Sequence, residues 1–339
     1  MGRKAVMPLI VVRPEVAAAV AFAGAVAGLG VLRRLASHLP QSLPGPRSLH
    51  QSPVPRVGGL SIWAGFLPVA AVGWPALPGP EAIWLIAFLA VMSISLIDDA
   101  RGVSPMVRMP VHLVAGLSMA IWLVDGGATG TPAGMLAVGA AAILIAWGAN
   151  LFNFMDGSDG LAAAMAACGF AAYGIAATLA GVDSGLYFAL SAAVLPFLRV
   201  NLPPARMFMG DVGAVPLGFL AASFGLAGCH AGIWPPWYPL LVFLPFVADA
   251  TLTLFARLLR RERFWEAHKV HYYQRVNQLG AGHRGTLTVY GFLIAGTAAS
   301  AMVTLKLQPA AGWLVLMAWG GAIVVLFLGI EYFWQRRTT

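Results

Sequence analysis

AGMLAVGAAAILIAWGANLFNFMDGSDGLAAAMAACGFAAYGIAATLA, residues 133–180, sets two long apolar runs on either side of a short polar insert. Neither run carries Lys, Arg, Asp or Glu, and each approaches the roughly 20 apolar residues that cross a bilayer as a helix. Backbone groups in lipid must find partners within their own segment, so both runs read as helices. The Ala, Gly and Leu content, without alternation, argues against a transmembrane β-barrel. The pattern recurs along the chain. Eleven segments are expected to span: about 15–34, 57–76, 81–98, 106–124, 133–150, 160–180, 184–200, 212–230, 237–259, 286–306 and 310–333, with ten as the alternative count. The whole chain is 59% hydrophobic and only 10% charged, which excludes an ordinary soluble domain. The expectation is all-α: one polytopic helical bundle over residues 1–339, with no soluble domain appended.

The net charge of +8 could suggest nucleic acid, but its distribution argues against that partner. With alternating spans, one set of loops holds 17 of the 21 basic residues, Arg101, Arg108, Arg206, Arg257 and Arg275 among them. By the positive-inside rule those loops are cytoplasmic. Arg3, Lys4 and Arg13 dissent on the other side, as does Lys306. The densest basic stretch, 257–285, is expected to be a cytoplasmic loop. Cys168 and Cys229 lie in or near different spans and fit no metal or disulfide pattern.

Four polar stretches collect on the cytoplasmic side: SLIDDARGVSP (95–105), NLFNFMDGSDGLA (150–162), RMFMGDVGAVPLGF (206–219) and RFWEAHKVHYYQRV (263–276). Asp98 and Asp99 close an apolar run. Adjacent carboxylates repel and face the unfavourable end of a helix dipole, so a metal ion or an arginine such as Arg101 or Arg108 should compensate. Asn150, Asn153, Asp156 and Asp159 recur every third residue, which on a helix aligns them along one face. All four are hard oxygen donors of the kind Mg2+ or Mn2+ selects. A polar turn with Asx capping explains one Asp, but not all four. Asp211 suits either a helix N-cap or a metal ligand. Phe208 is either packing or a stacking platform for a base. His268 and His271 would share a helix face, and the cations around them favour phosphate over a metal. Asp249, inside a span, is a functional candidate or a packing ion pair. His112 and Glu331 read as boundary residues.

In this order the four stretches resemble the polyprenyl-phosphate N-acetylhexosamine-1-phosphate transferase family. The DD pair, N-x-x-N-x-x-D-G-x-D-G and F-M-G-D-x-G carry the likeness, from PRSLHQSPVPRVGG (46–59) to HKVHYYQRV. The resemblance implies a multi-pass enzyme of the bacterial inner membrane with its site at the cytoplasmic face. It implies a UDP-N-acetylamino sugar as donor, undecaprenyl phosphate as acceptor, and Mg2+ or Mn2+ as cofactor, and it permits a homodimer. By motif position, Asn153 and Asp211 would hold the metal. Asp98 and Asp99 would handle the lipid phosphate, one as base, with Asp156 grouped beside them as a catalytic carboxylate. Asp159 and Phe208 would hold and stack uracil. Arg108 and His268, with His271, would grip phosphate or sugar nucleotide. The H-x-x-H-x-Y-Q-R ending looks more like the branch that initiates O-antigen than like phospho-MurNAc-pentapeptide transferase. That transferase, and a membrane transporter, are the alternatives.

Overall fold

The computed structural model describes residues 13–42, 53–73, 81–124, 130–262 and 270–338. Its helices are α1 (Pro14–Arg34), α2 (Gly59–Gly73), α3 (Glu81–Arg101), α4 (Pro105–Val124), α5 (Pro132–Met155), α6 (Leu161–Leu179) and α7 (Gly185–Asn201). They continue as α8 (Asp211–His230), α9 (Trp237–Val242), α10 (Leu244–Leu259), α11 (Tyr272–Val276), α12 (Gly282–Thr304) and α13 (Pro309–Thr338). Among the described residues the only strands are a two-residue antiparallel pair, β1 (Gln41–Ser42) and β2 (Val54–Pro55). The protein is an all-α polytopic membrane bundle.

Among the described residues, every segment expected to span falls mainly on helix. Among the described residues eight helices are long and apolar enough to cross a membrane, while α2 and α7 are shorter, at 15 and 17 residues. The expected span 237–259 is not one helix. It breaks at Phe243 into α9 and α10, because Pro245 has no amide to donate and its ring clashes with the preceding turn. The expected loop 257–285 is also partly structured. It includes the end of α10, α11, a π-turn over Asn277–Ala281 and the start of α12. Arg257 and Arg275 within it are buried rather than solvated.

α8 is the hub. Its apolar window is 83% buried against 17% for the peripheral α13. Glycines let its neighbours approach. A Cβ on Gly218 would sit 2.1 Å from the Gly148 carbonyl of α5, and one on Gly59 would sit 2.3 Å from the Gly213 Cα. Membrane helices lack a hydrophobic drive between them, and such small-residue contacts hold them together instead. The same packing sets α2 against the first turn of α8 and α5 against its second.

Candidate active site

Asp98 and Asp99 occupy the last turn of α3, which continues to Arg101. Neighbours on a helix point about 100° apart, and these two carboxylates find different partners. Asp98 accepts from the Arg108 guanidinium of α4 and from the Val103 amide. Asp99 is buried and accepts from Arg56 Nη2 at 2.9 Å and from the Asp211 and Val212 amides at 3.1 and 2.8 Å. It therefore caps α8, where the positive end of that dipole offsets the unfavourable end of its own helix. Gly210 makes room for this. Its φ of +73° suits glycine, and a Cβ there would lie 2.7 Å from Asp99 Oδ2. Arg108, rather than Arg101, and Arg56 supply the compensation expected at this pair.

Asn150, Asn153, Asp156 and Asp159 do not share one helical face. α5 ends at Met155, Asp156 is its C-cap, and the chain then turns through Gly160 at φ +76°. Asn150 sits a turn deeper, bonded to the Ala146 carbonyl at 2.7 Å and to His112 at 3.3 Å. His112, read from sequence as a boundary residue, is buried against it. Asn153 reaches the site, its amide donating to Asp211 Oδ2 at 3.3 Å. Asp159 faces elsewhere. Its Oδ2 accepts from the Ala205 amide at 2.9 Å and its Oδ1 lies 3.4 Å from His283 Nδ1.

Asp211 is the first residue of α8 rather than its cap, which is Gly210. Its Oδ2 also accepts from Arg108, so one guanidinium bridges Asp98 and Asp211. Phe208 is held through its backbone: its amide donates to the Pro55 carbonyl at 2.8 Å, and its carbonyl accepts from Gly58 at 2.9 Å. His271 is buried at the N-cap of α11 in extended backbone. His268 lies outside the described residues. The structure thus gathers Asp98, Asp99, Arg108, Asn153 and Asp211 directly, sets Asp156 beside them at the C-cap of α5, and places Asp159 and His271 on flanking turns.

Asp156 has no ion-pair partner among the described residues. Burial, followed by the charges of Asp211, Asp99 and Asp159, pushes its carboxyl well above the ordinary value. Four carboxylates, those of Asp98, Asp99, Asp156 and Asp211, here face two guanidinium groups, Arg56 and Arg108. Protons or a cation must meet the excess. Among the described residues no three Asp, Glu, His or Cys side chains converge tightly enough to hold an ion alone. The side chains gathered here are hard oxygen donors, the type that suits a hard divalent cation.

The family described as Glycosyl transferase family 4 matches residues 82–228, which run from the start of α3 to near the end of α8 and hold nearly all of this cluster. The chain is 27% identical over 288 residues to a probable undecaprenyl-phosphate N-acetylglucosaminyl 1-phosphate transferase of Bacillus subtilis, covering 80% of this chain and 78% of that one. It is 28% identical over 344 residues to decaprenyl-phosphate N-acetylglucosaminephosphotransferase of Mycobacterium tuberculosis, covering 87% and 83%. It is 33% identical over 213 residues to phospho-N-acetylmuramoyl-pentapeptide-transferase of Moorella thermoacetica, covering 56% and 66%. The chain belongs to the polyprenyl-phosphate N-acetylhexosamine-1-phosphate transferase family.

As a member of that family it is a membrane phosphotransferase with a polyprenyl phosphate acceptor, and the transporter alternative falls. An apolar cavity of about 310 Å3 lies between α5, α8 and the α9–α10 break, lined by Leu151, Phe152, Gly218, Leu226, Leu240 and Phe243 among others. Its upper wall, Leu151 and Phe152, adjoins Asn153. Sequence reasoning gave no role to Arg56, His283 or Asn201. Asn201 accepts from the Gly160 amide at 2.9 Å and donates to the Met207 carbonyl at 2.9 Å, tying two motif loops together. The PRVGG stretch held a signal for Arg56, a lone cation before a glycine pair. His283 and Asn201 offered none.

Proposed function

We propose that this transferase moves an N-acetylated amino-sugar 1-phosphate from a UDP-sugar to undecaprenyl phosphate, releasing UMP, at the cytoplasmic face of the bacterial inner membrane. The product, undecaprenyl-diphospho-sugar, would start a cell-surface glycan such as O-antigen. The observation that carries the reading is Arg108 bridging Asp98 and Asp211 with Asn153 on the same carboxylate. A paired-anion reaction needs such a charge-dense, adjustable corner.

Nucleophile and electrophile are both phosphate anions, so repulsion is the first obstacle. Asp211 and Asn153 would hold Mg2+ or Mn2+, which when bound neutralises diphosphate oxygens and aligns an in-line displacement. Arg108 and Arg56 donate charge-assisted hydrogen bonds to the same oxygens as their present carboxylate contacts rearrange. A phosphomonoester has its second pKa near 6, so the lipid phosphate is largely ionised at neutral pH. Asp98 or Asp99 then contributes less as a base than as an organiser of the arginines. Asp159 and Phe208 would hold and stack the uracil. The apolar cavity below Asn153 would take the first isoprene units of the acceptor. Arginine-rich loops support the cytoplasmic placement.

The direct test is transfer of radiolabel from UDP-N-acetylhexosamines into chloroform-soluble product in membranes carrying Asp211→Ala. Turnover should vanish with normal protein levels, and retained activity at ordinary Mg2+ would overturn the ligand assignment. A donor panel of UDP-GlcNAc, UDP-GalNAc, UDP-FucNAc, UDP-QuiNAc and UDP-MurNAc-pentapeptide then fixes the sugar.

A further inference from the structure

The turn that carries Asp159 is held from two sides. On one side the chain at and after the end of α7 grips it. The Ala205 amide donates to Asp159 Oδ2 at 2.9 Å, and Asn201 accepts from the Gly160 amide at 2.9 Å. On the other side stands the first turn of α12. There His283 Nδ1 lies 3.1 Å from the Asp159 amide nitrogen, 3.2 Å from Ser158 Oγ and 3.4 Å from Asp159 Oδ1. Leu287, one turn further along α12, packs over Gly160, where a Cβ would lie 3.0 Å from its Cδ2. Glycine makes this docking possible. Gly280 and Gly282 take φ of +115° and +62°, values that glycine adopts without strain, and between them the chain turns from the end of α11 into α12.

The backbone sets the chemistry of the contact. An amide N–H can only donate, so the nitrogen it meets must present a lone pair, and the ring proton sits on Nε2. The Ser158 hydroxyl can turn its proton to the same lone pair. Ser158 and Asp159 are both buried, so an amide left there without an acceptor would be costly. A protonated Nδ1 would do the opposite: it would release the amide and donate to Asp159 Oδ1. The two arrangements exclude each other, and the amide contact is the shorter. With Oδ2 engaged by Ala205 and Nδ1 engaged by the amide, Oδ1 is the carboxylate oxygen that keeps its accepting capacity for a ligand. The imide N–H of a uracil is a donor that suits it. Cytosine carries a lone pair at the same ring position and does not.

We infer that His283 is a positioning residue for the nucleotide: through the lone pair of Nδ1 it holds the Ser158–Asp159 turn against α12 and leaves Asp159 Oδ1 to accept from the base. This deepens the proposed function and rests on the reading of Asp159 as a uracil contact.

The test is the affinity of the purified full-length protein, in detergent with Mg2+, for UMP and CMP by isothermal titration calorimetry. UMP is the expected product whichever UDP-sugar is the donor, so the measurement does not depend on the sugar. His283→Ala should weaken UMP binding by about tenfold, the order of a lost hydrogen bond to a charged group, and leave CMP binding nearly unchanged, so that the preference for UMP collapses. His283→Asn, whose side-chain oxygen can stand where Nδ1 stands, should restore UMP affinity. His283→Lys offers only donors and should not restore it, because the ammonium pairs with Oδ1. In turnover assays the losses should fall on KM for the UDP-sugar, with kcat and KM for undecaprenyl phosphate unchanged. The asparagine and lysine variants decide the matter alone should the alanine variant not fold. UMP affinity kept by His283→Lys and lost in His283→Asn would show the ring acting as a cation and would overturn the inference. Equal losses of UMP and CMP, or a loss in kcat alone, overturn it too, since they reduce His283 to a support of the fold. Asp159→Asn separates the two layers of the argument. Full UMP affinity in that variant removes the base contact itself, whatever His283 does. Weakened UMP binding there, with unaltered binding in His283→Ala, removes the role of His283 alone.

Discussion

Asp156 is the carboxylate whose position has the plainest physical consequence. With its pKa raised by burial and by three neighbouring carboxylates, it keeps its proton in the folded protein at pH values where the unfolded chain has already lost it. From about pH 4, the ordinary Asp value, stability therefore falls as pH rises, by up to about 1.4 kcal/mol per unit, until the folded-state group also ionises. Asp156→Asn removes that penalty. In metal-free detergent solution the variant should melt above the wild type at alkaline pH and match it near pH 4, and Mg2+ should narrow the gap by favouring the ionised wild-type group. An alkaline melt below the wild type would refute the argument. The identities of such residues were legible in sequence because bare carboxylates in a greasy chain are expensive. Their partners were not, since Arg56 lies 43 residues from Asp99 and His283 lies 124 from Asp159. Nothing local marks contacts that only the bundle creates.

At the scale of the element, helices were legible wherever an apolar run was long, and their ends were not. The three-residue spacing of Asn150 to Asp159 suggested a continuous face. Gly157 and Gly160, which end that regularity, were the signal that α5 stops before it. Pro245 similarly marks the break after α9, visible in the sequence but outweighed there by the apolar run around it. These ends position the chemistry through close packing. Gly148 and Gly218 bring α5 onto α8 and so bring Asn153 to Asp211. Gly218→Ala must push the helices apart, because the added carbon would meet backbone rather than a side chain that can turn aside. Overpacking of this kind costs about 1–3 kcal/mol, and the separation should also reduce metal-dependent turnover. Gly320→Ala on α13, where a Cβ meets nothing within 4 Å, should instead be neutral or stabilise by about 0.5–1 kcal/mol. Melting curves and initial rates of the two variants separate a helix-spacing effect from a general intolerance of alanine.

The proposed reaction requires the whole molecule to bring a water-soluble donor and a lipid acceptor to one point, and its layout matches that demand. Polar motif loops close one end of the bundle, while the apolar cavity beside α5 and α8 opens where α9 and α10 part. Along α8 its wall runs from Gly218 to Cys229, roughly 16 Å at 1.5 Å per residue. Composition announced the bundle and charge placement announced the polar end. The cavity was invisible to both, because its lining is indistinguishable in sequence from lipid-facing surface. A cavity that receives the acceptor chain should discriminate by chain length. Leu240 stands on its rim, 40% exposed, so Leu240→Trp can be accommodated while narrowing the groove. Losing about 55 Å2 of chain contact at about 25 cal/mol per Å2 corresponds to roughly a tenfold weaker hold. KM for undecaprenyl phosphate should rise by about that factor, while KM for a short-chain polyprenyl phosphate and for the UDP-sugar stays unchanged. Equal effects on long and short acceptors would place the chain elsewhere, on the open lipid-facing side of the bundle, and would leave the cavity as packing space made by the break at Phe243.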